Sequence, residues 1–284
     1  MSNVHILFDN PADDGEYSGG GWLINSLNRL KTPLPGEAAR SVGASVGSTT
    51  FTCDLLTLHA LRMFALIGTN LTTAATVRII VSNAADLTAP VLDVTVPAYQ
   101  PNVPWGSMPW GAFPWNGFRS DYKPGGAITL YRHATSVFGR YVRIEISDAA
   151  NPDKFVQIGR FMCGEPFVPR INMAYGVGLR FLDESVKTKS RGGSVYWDKK
   201  PKTRLMTLQL PYLTEGEAWG AAYDLQARLG LTGNLLLVYD PAESTAVRLR
   251  RTIYGSLTQL DDIVTASPSV DYPYSWNLAV EELI

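Results

Sequence analysis

The sequence predicts a mainly β protein of two domains, the second carrying one packed helix. Three observations predict it. Arg140–Ser147 alternates, with Val142, Ile144 and Ile146 on one face and Tyr141, Arg143, Glu145 and Ser147 on the other. That period of two marks a strand with one face on a core and one in water. At Thr214–Gly230 the period changes: Ala218, Ala221, Ala222, Leu225 and Leu229 recur at helical spacing. Between the two lies Pro166–Pro169, where the pattern stops and restarts. A chain of 284 residues suits about two domains, so the expected division is 1–167 and 168–284.

Val4–Phe8 reads as a short strand and Asp9–Gly21 as a loop. Asp9, Asn10, Asp13, Asp14 and Glu16 could crowd oxygens around calcium, but EF-hand spacing is absent and a solvated acidic turn is the favoured reading. Trp22–Leu30 suits one or two helical turns. Gly43-Ala44-Ser45-Val46-Gly47 matches a nucleophile elbow in letters alone, because a strand and not a helix is expected after it. With three histidines in the chain, Ser45 is not expected to be catalytic. Phe51–Leu58, Ala60–Gly68, Ala75–Ser82 and Val91–Val96 read as strands.

Pro101–Phe118 is the most unusual stretch. Pro-Trp recurs at 104–105, 109–110 and 114–115. Pro blocks helix and central strand, while Gly106, Gly111 and Gly117 permit sharp turns, so a long aromatic loop is expected. Trp105, Trp110, Phe113, Trp115 and Phe118 are its candidate contact residues. Three readings stay open: stacking on sugars, burial against a neighbouring subunit, or folding back on the loop's own sheet. Arg119, Asp121, Arg132 and His133 are candidates for a polar pocket nearby, with solvated loop charges the favoured reading.

Phe118–Lys123 and Ile128–His133 lead into the alternating strand at 140. Asn151-Pro152-Asp153 then breaks the chain before Phe155–Met162 resumes as a strand. The pair reads as a hairpin closing the first domain.

In the second domain Tyr175–Asp183 is strand-like. Ser185–Arg204 is basic and aromatic, with Lys187, Lys189, Arg191, Tyr196, Trp197, Lys199, Lys200 and Lys202. Such a stretch can meet a nucleic acid backbone; a protruding hairpin facing an acidic protein neighbour is favoured. Arg204–Leu210 is a strand. Thr214 with Glu217 forms a capping box that opens helix 214–229, and Gly230 stops it. Asn234–Tyr239, Ala246–Gly255, Leu257–Val264 and Tyr274–Glu282 are the remaining expected strands.

Lys and Arg total 25 and Asp and Glu 26, for a net charge of −1. That balance points to no specific nucleic acid partner and no charged membrane surface. Charged residues are 18%, below the usual quarter or so, which suits surfaces covered by neighbours. The apolar run Leu55–Ile67 is interrupted by His59 and Arg62 and is too short to span a membrane. The first residues lack a basic and apolar leader pattern, so cytosolic production is expected. Cys53 and Cys163 are expected as buried free thiols, with a disulfide between them as the alternative. No P-loop, dinucleotide fingerprint, CxxC or His-rich metal set is present, so neither cofactor, metal nor enzymatic activity is expected.

GRYVRIEI (139–146) and FVQIGRFMCGE (155–165) resemble the closing strands of a galactose-binding-like, discoidin-type jelly roll. FALIGTNLTTAATVRIIVS (64–82) resembles an earlier strand pair of that fold, and AARS (38–41) and FTCDL (51–55) its opening. In detail this half resembles the N-terminal part of tail and baseplate proteins of long-tailed bacteriophages. RRTIYGSLTQL (250–260) and YSWNLAVEEL (274–283) resemble C-terminal regions of the same proteins, and strands with one helix resemble the tail-tube fold. Distal tail proteins often carry the tube-like domain first, whereas here the sandwich-like domain is first. The resemblance implies a jelly-roll β-sandwich followed by a tail-tube-like β domain. It also implies a structural subunit of a phage tail tip or baseplate, a homo-oligomeric ring in the virion that contacts tube, hub and fibre proteins and is assembled in the host cytoplasm. The alternative is a carbohydrate-binding module reading a host surface glycan through the Trp-rich loop.

Overall fold

The computed structural model describes residues 2–99, 106, 111, 127–243 and 245–284. In chain order the strands are β1 (His5–Leu7), β2 (Glu16–Ser18), β3 (Ala39–Arg40), β4 (Phe51–Thr69), β5 (Thr76–Ser82), β6 (Leu92–Pro97), β7 (Ala127–Ser147), β8 (Gln157–Ile158) and β9 (Arg160–Gly164). There follow β10 (Gly178–Asp183), β11 (Val186–Lys189), β12 (Val195–Asp198), β13 (Lys202–Leu213), β14 (Leu235–Val238), β15 (Thr252–Leu257), β16 (Ile263–Thr265) and β17 (Tyr274–Glu282). Among the described residues the α-helices are α1 (Val46–Thr49), α2 (Tyr223–Leu229), preceded by a π-helical stretch Glu217–Ala222, and α3 (Thr245–Arg250), with short 3-10 turns at Pro11–Asp13 and Leu27–Lys31. The fold class is the expected one, mainly β with a packed helix.

The chain divides into two units. The first comprises Met1–Val168, Leu235–Thr252 and Ile284; the second, Pro169–Asn234 and Ile253–Leu283. Residues 235–252, which follow the expected boundary at 167/168, group with the first unit. The chain returns to the first unit there, because β14 is apolar throughout and pairs with β1, Ile6 facing Leu237.

The first unit is organised on β4 and β7, which pair antiparallel along most of their length. The sheet order is β2-β4-β7-β5-β6, with β9 on the second half of β4. The segments read separately as Phe51–Leu58 and Ala60–Gly68 are one long strand. It is kinked by register shifts between Asp54 and His59, and Leu56 sits there at φ 67°, a conformation rare for a side chain of its kind. The Asp54 carboxylate accepts the Leu56 N–H at 2.8 Å and a fork of two bonds from Arg140, at 2.7 and 2.8 Å. Inward positions fill the core as the alternation predicts: Phe51, Cys53, Val142, Ile144 and Ile146 are buried.

The expected hairpin of 140–147 with 155–162 does not form. Both edges of β7 are taken, by β4 and β5. Beyond it, Asp148 is buried and accepts bonds from Thr72 N at 3.0 Å, Thr72 Oγ1 at 2.5 Å and Asn151 Nδ2 at 2.8 Å. That anchors a crossing loop. The chain then pairs β8 with β3 and β9 with β4. Alternation assigns a strand its faces but not its partners.

In the second unit the order is β15-β17-β13-β10, with β16 also on β17. Leu205, Met206, Leu208, Leu210, Trp276, Leu278 and Val280 are buried with Ala218, Ala222 and Leu225 of the helix. The capping box is made as read. Thr214 N donates to the Glu217 carboxylate at 2.8 Å, and Glu217 N donates to Thr214 Oγ1 at 3.3 Å. Two strand expectations fail. Ala246–Gly255 is the helix α3 followed by β15, and Leu257–Val264 is strand only at its two ends. Alternating Val and Leu with Arg over 247–250 suits a strand, yet the Arg251 N–H bonds back to the Val247 carbonyl at 3.1 Å, closing a helical turn.

Candidate functional site

The first unit contains a cavity of about 290 Å³. The chain on both sides of the Trp-rich segment borders it: Val96–Tyr99 on one side, Ile128 and Leu130–Arg132 on the other. Pro241, Arg248, Leu249 and Thr252 complete the wall. Strand alternation explains part of the lining. Leu130 and Arg132 share one face of β7, and the intervening Tyr131 packs its ring on Phe64, with centroids 6.3 Å apart and planes at 29°.

The polar groups are few and held. Arg132 Nη1 donates to His5 Nε2 at 3.3 Å. The Tyr131 hydroxyl bonds His133 Nδ1 at 2.9 Å, and burial raises the Tyr131 pKa. Tyr99 is buried with its hydroxyl 2.5 Å from Thr69 Oγ1. Arg248 Nη1 donates to the Pro241 carbonyl at 3.3 Å, and Thr252 Oγ1 donates to the Arg248 carbonyl at 2.8 Å. The Arg248 Nε–H has no partner, and burial pulls the pKa of its guanidinium down. A partly desolvated guanidinium with a spare N–H suits an acceptor-rich ligand. Among the described residues lining the cavity none is a carboxylate.

Trp105, Trp110, Phe113, Trp115 and Phe118 lie outside the described residues, as do Arg119 and Asp121. Of the proposed polar pocket, Arg132 lines the cavity while His133 is bonded to Tyr131. Arg248 and Tyr99 were not among the sequence candidates. Residues 246–255 read as a strand, and nothing in that pattern brings Arg248 to the same cavity as Tyr99 and Ile128, more than a hundred residues earlier.

The basic segment is largely a hairpin. β11 and β12 pair in register, with Lys187 opposite Trp197 and Thr188 opposite Tyr196, and every residue of both strands is exposed. Lys187 Nζ lies 5.4 Å from the Trp197 ring centroid. Lys189, Arg191, Lys199 and Lys200 are exposed around them. Lys202 belongs instead to β13, where its amine meets the Asp183 carboxylate at 3.3 Å at the hairpin's base.

The remaining candidates resolve differently. Asp13 is engaged by the buried Arg160 guanidinium through bonds of 2.7 Å to each carboxylate oxygen and by Asn10 Nδ2 at 2.7 Å. Ser45 stands at the N-terminal boundary of α1 without a side-chain capping bond, and its hydroxyl lies 3.1 Å from Ser48 Oγ. Cys53 and Cys163 are buried and unbridged.

No family model matches the sequence, and no curated protein matches it at a significant level. Solved structures do resemble it. One is a CBM32 module from a family 31 glycoside hydrolase of Clostridium perfringens, 13% identical over 56% of this chain and 99% of that one, with a TM-score of 0.37. A fucose-binding module of Streptococcus pneumoniae is 12% identical over 56% and 96%, also with a TM-score of 0.37. The CBM32 of AlyQ, solved with 4,5-unsaturated mannuronic acid, is 12% identical over 55% and 96%, with a TM-score of 0.36. Likeness of this degree says nothing about ligand.

Proposed function

We propose that the first unit binds a glycan at its cavity and that the chain is a binding protein rather than an enzyme. One observation carries this: the two attachment points of a segment with three Pro-Trp steps border a single cavity, and two arginines, Arg132 and Arg248, stand on its wall. Sugars present flat C–H faces and many hydroxyls. Indole rings match the first, and fixed N–H donors match the second. Trp105, Trp110 and Trp115, with Phe113 and Phe118, would supply the faces, and the arginines the donors. The lack of a carboxylate on the described wall supports binding over glycoside cleavage, which needs paired acids. The test is a glycan array followed by titration of the full chain. Saturable binding is expected, weakened about tenfold or more by Trp110→Ala and by Arg248→Ala. Failure to bind any glycan would end this reading.

A second reading is a subunit of a larger ordered assembly, such as the ring around the tail tube at a phage tail tip or baseplate, made in the host cytoplasm and carried in the virion. It is favoured by the hairpin β11–β12, which holds Val186, Val195, Tyr196 and Trp197 in solvent. Monomers rarely expose such clustered apolar surface without a partner. Locating the chain in an imaged particle tests it; a purified chain absent from every virion would dismiss it.

A further inference from the structure

The second unit carries two uncovered surfaces of opposite character. One is the hairpin, continuing the ribbon of β10 and β13 beyond the Asp183–Lys202 pair. It is basic, with Lys187, Lys189, Lys199 and Lys200 around Tyr196 and Trp197, and Trp197 is 56% exposed. The other is an open groove of about 830 Å³ between the helix and β16. Its walls include Trp219, Tyr223, Leu260 and Val264, and its charges are Asp261 and Asp262, with no Lys or Arg among its lining residues. Trp219 is 50% exposed.

The groove is built rather than accidental. Trp219 and Tyr223 are one helical turn apart, so their rings project together, with centroids 6.3 Å apart. Tyr274 on β17 meets the Trp219 ring edge-on at 5.8 Å. Gln226 Nε2 donates to the Asp261 carbonyl at 3.0 Å and ties the helix to the acidic strap. The aromatic wall is thereby fixed while half of it faces water.

We infer that the basic hairpin of one copy docks in the acidic, aromatic groove of a second copy. The inference rests on the assembly reading above and is independent of the glycan reading. Charge and apolar character are complementary, and the exposure of every hairpin residue means that the hairpin does not fill its own groove. A contact between two different patches is head-to-tail, so it propagates and closes into a ring wherever the rotation permits. Apolar contact of Tyr196 and Trp197 with Trp219, Tyr223 and Val264 supplies the attraction; the charges set register and encounter rate.

The experiment is sedimentation velocity of the full chain over a concentration series at low and moderate salt. Wild type forms species larger than a dimer, weakened by salt. Lys199→Glu/Lys200→Glu on the hairpin and Asp261→Lys/Asp262→Lys in the groove each reduce association at least about tenfold. Mixed together, the two variants pair native hairpin with native groove and reversed hairpin with reversed groove, so the mixture associates where neither variant does alone. Trp197→Ala, at an exposed position, weakens association without altering the melting curve. A wild type that stays monomeric overturns the inference, even if the chain is later found in a virion through other contacts. So does association that neither variant disturbs, or a groove that takes an oligosaccharide, seen by Trp219 fluorescence, in a chain that does not associate.

Discussion

Arg132 and His5 meet through one bond of 3.3 Å from the guanidinium Nη1 to the imidazole Nε2. His5 Nδ1 lies 2.8 Å from the Asn3 carbonyl, which can only accept, so the ring proton sits on Nδ1 and Nε2 is the acceptor. Protonating Nε2 would remove that acceptor and set a cation against a cation.

Acid should therefore destabilise the first unit through His5. Burial lowers its pKa from 6.5 to about 4; the Asn3 hydrogen bond and Asp240 oppose this, while Arg132 and Arg62 reinforce it. The unfolded chain then binds the extra proton between those values, so stability falls as pH drops from 6.5 toward 4, by about 3 kcal/mol at most. Urea midpoints measured across that window should slope downward in wild type and flatten in His5→Gln. Equal slopes would show that His5 is not the titrating group.

Arg204 and Glu282 form a buried pair in the second unit, each side chain about 2% exposed, with Nε to Oε2 at 2.9 Å and the Arg204 backbone N–H on the same oxygen at 3.1 Å. Removing one partner strands the other charge. Arg204→Met is expected to cost about 3–5 kcal/mol, and the added change Glu282→Leu to recover much of it. Chemical denaturation of wild type, both single variants and the double decides; an additive double variant would contradict the pairing.

Gly255 lies where β15 meets β17, opposite Glu282. A Cβ there would stand 2.0 Å from the Glu281 carbonyl oxygen. Backbone cannot yield as a side chain can, so Gly255→Ala should destabilise by about 3 kcal/mol. A thermal melt matching wild type would mean that the strands separate more readily than the register implies.

The thiols give a chemical check. Burial pushes Cys53 up to about 12 and Cys163 well above its ordinary value, so neither forms thiolate at neutral pH. A disulfide-exchange reagent at pH 8 should find none in the native chain and both in urea without reductant. Rapid native reaction would place a thiol at the surface; none in urea would indicate a bridge.

Much of the local structure was legible in the residues themselves. The faces of β7 over 140–147, the Thr214–Glu217 cap and the strand Tyr274–Glu282 follow from period, cap chemistry and flanking turns. The failures share a cause. The segment 246–255 alternates well enough for a strand, yet its first half closes a helical turn through the Arg251 N–H and the Val247 carbonyl. Exposure of the basic segment was foreseen, but the groove of opposite charge was not. Asp261 and Asp262 are ordinary loop acids until the Trp219 and Tyr223 rings stand beside them.

The sequence by itself determined which side of β7 is apolar around 140–147, where the main helix begins and ends, and that both halves are rich in strand. The tertiary structure alone decided that β7 lies between β4 and β5, that 235–252 returns to the first unit, and that Arg248 reaches the cavity bordered by Tyr99 and Ile128. Alternation and capping are properties of neighbours in the chain, set by backbone geometry. Which edge a strand occupies, and which charges share a pocket, depend on burial shared among residues far apart in the chain, and only the folded chain brings those together.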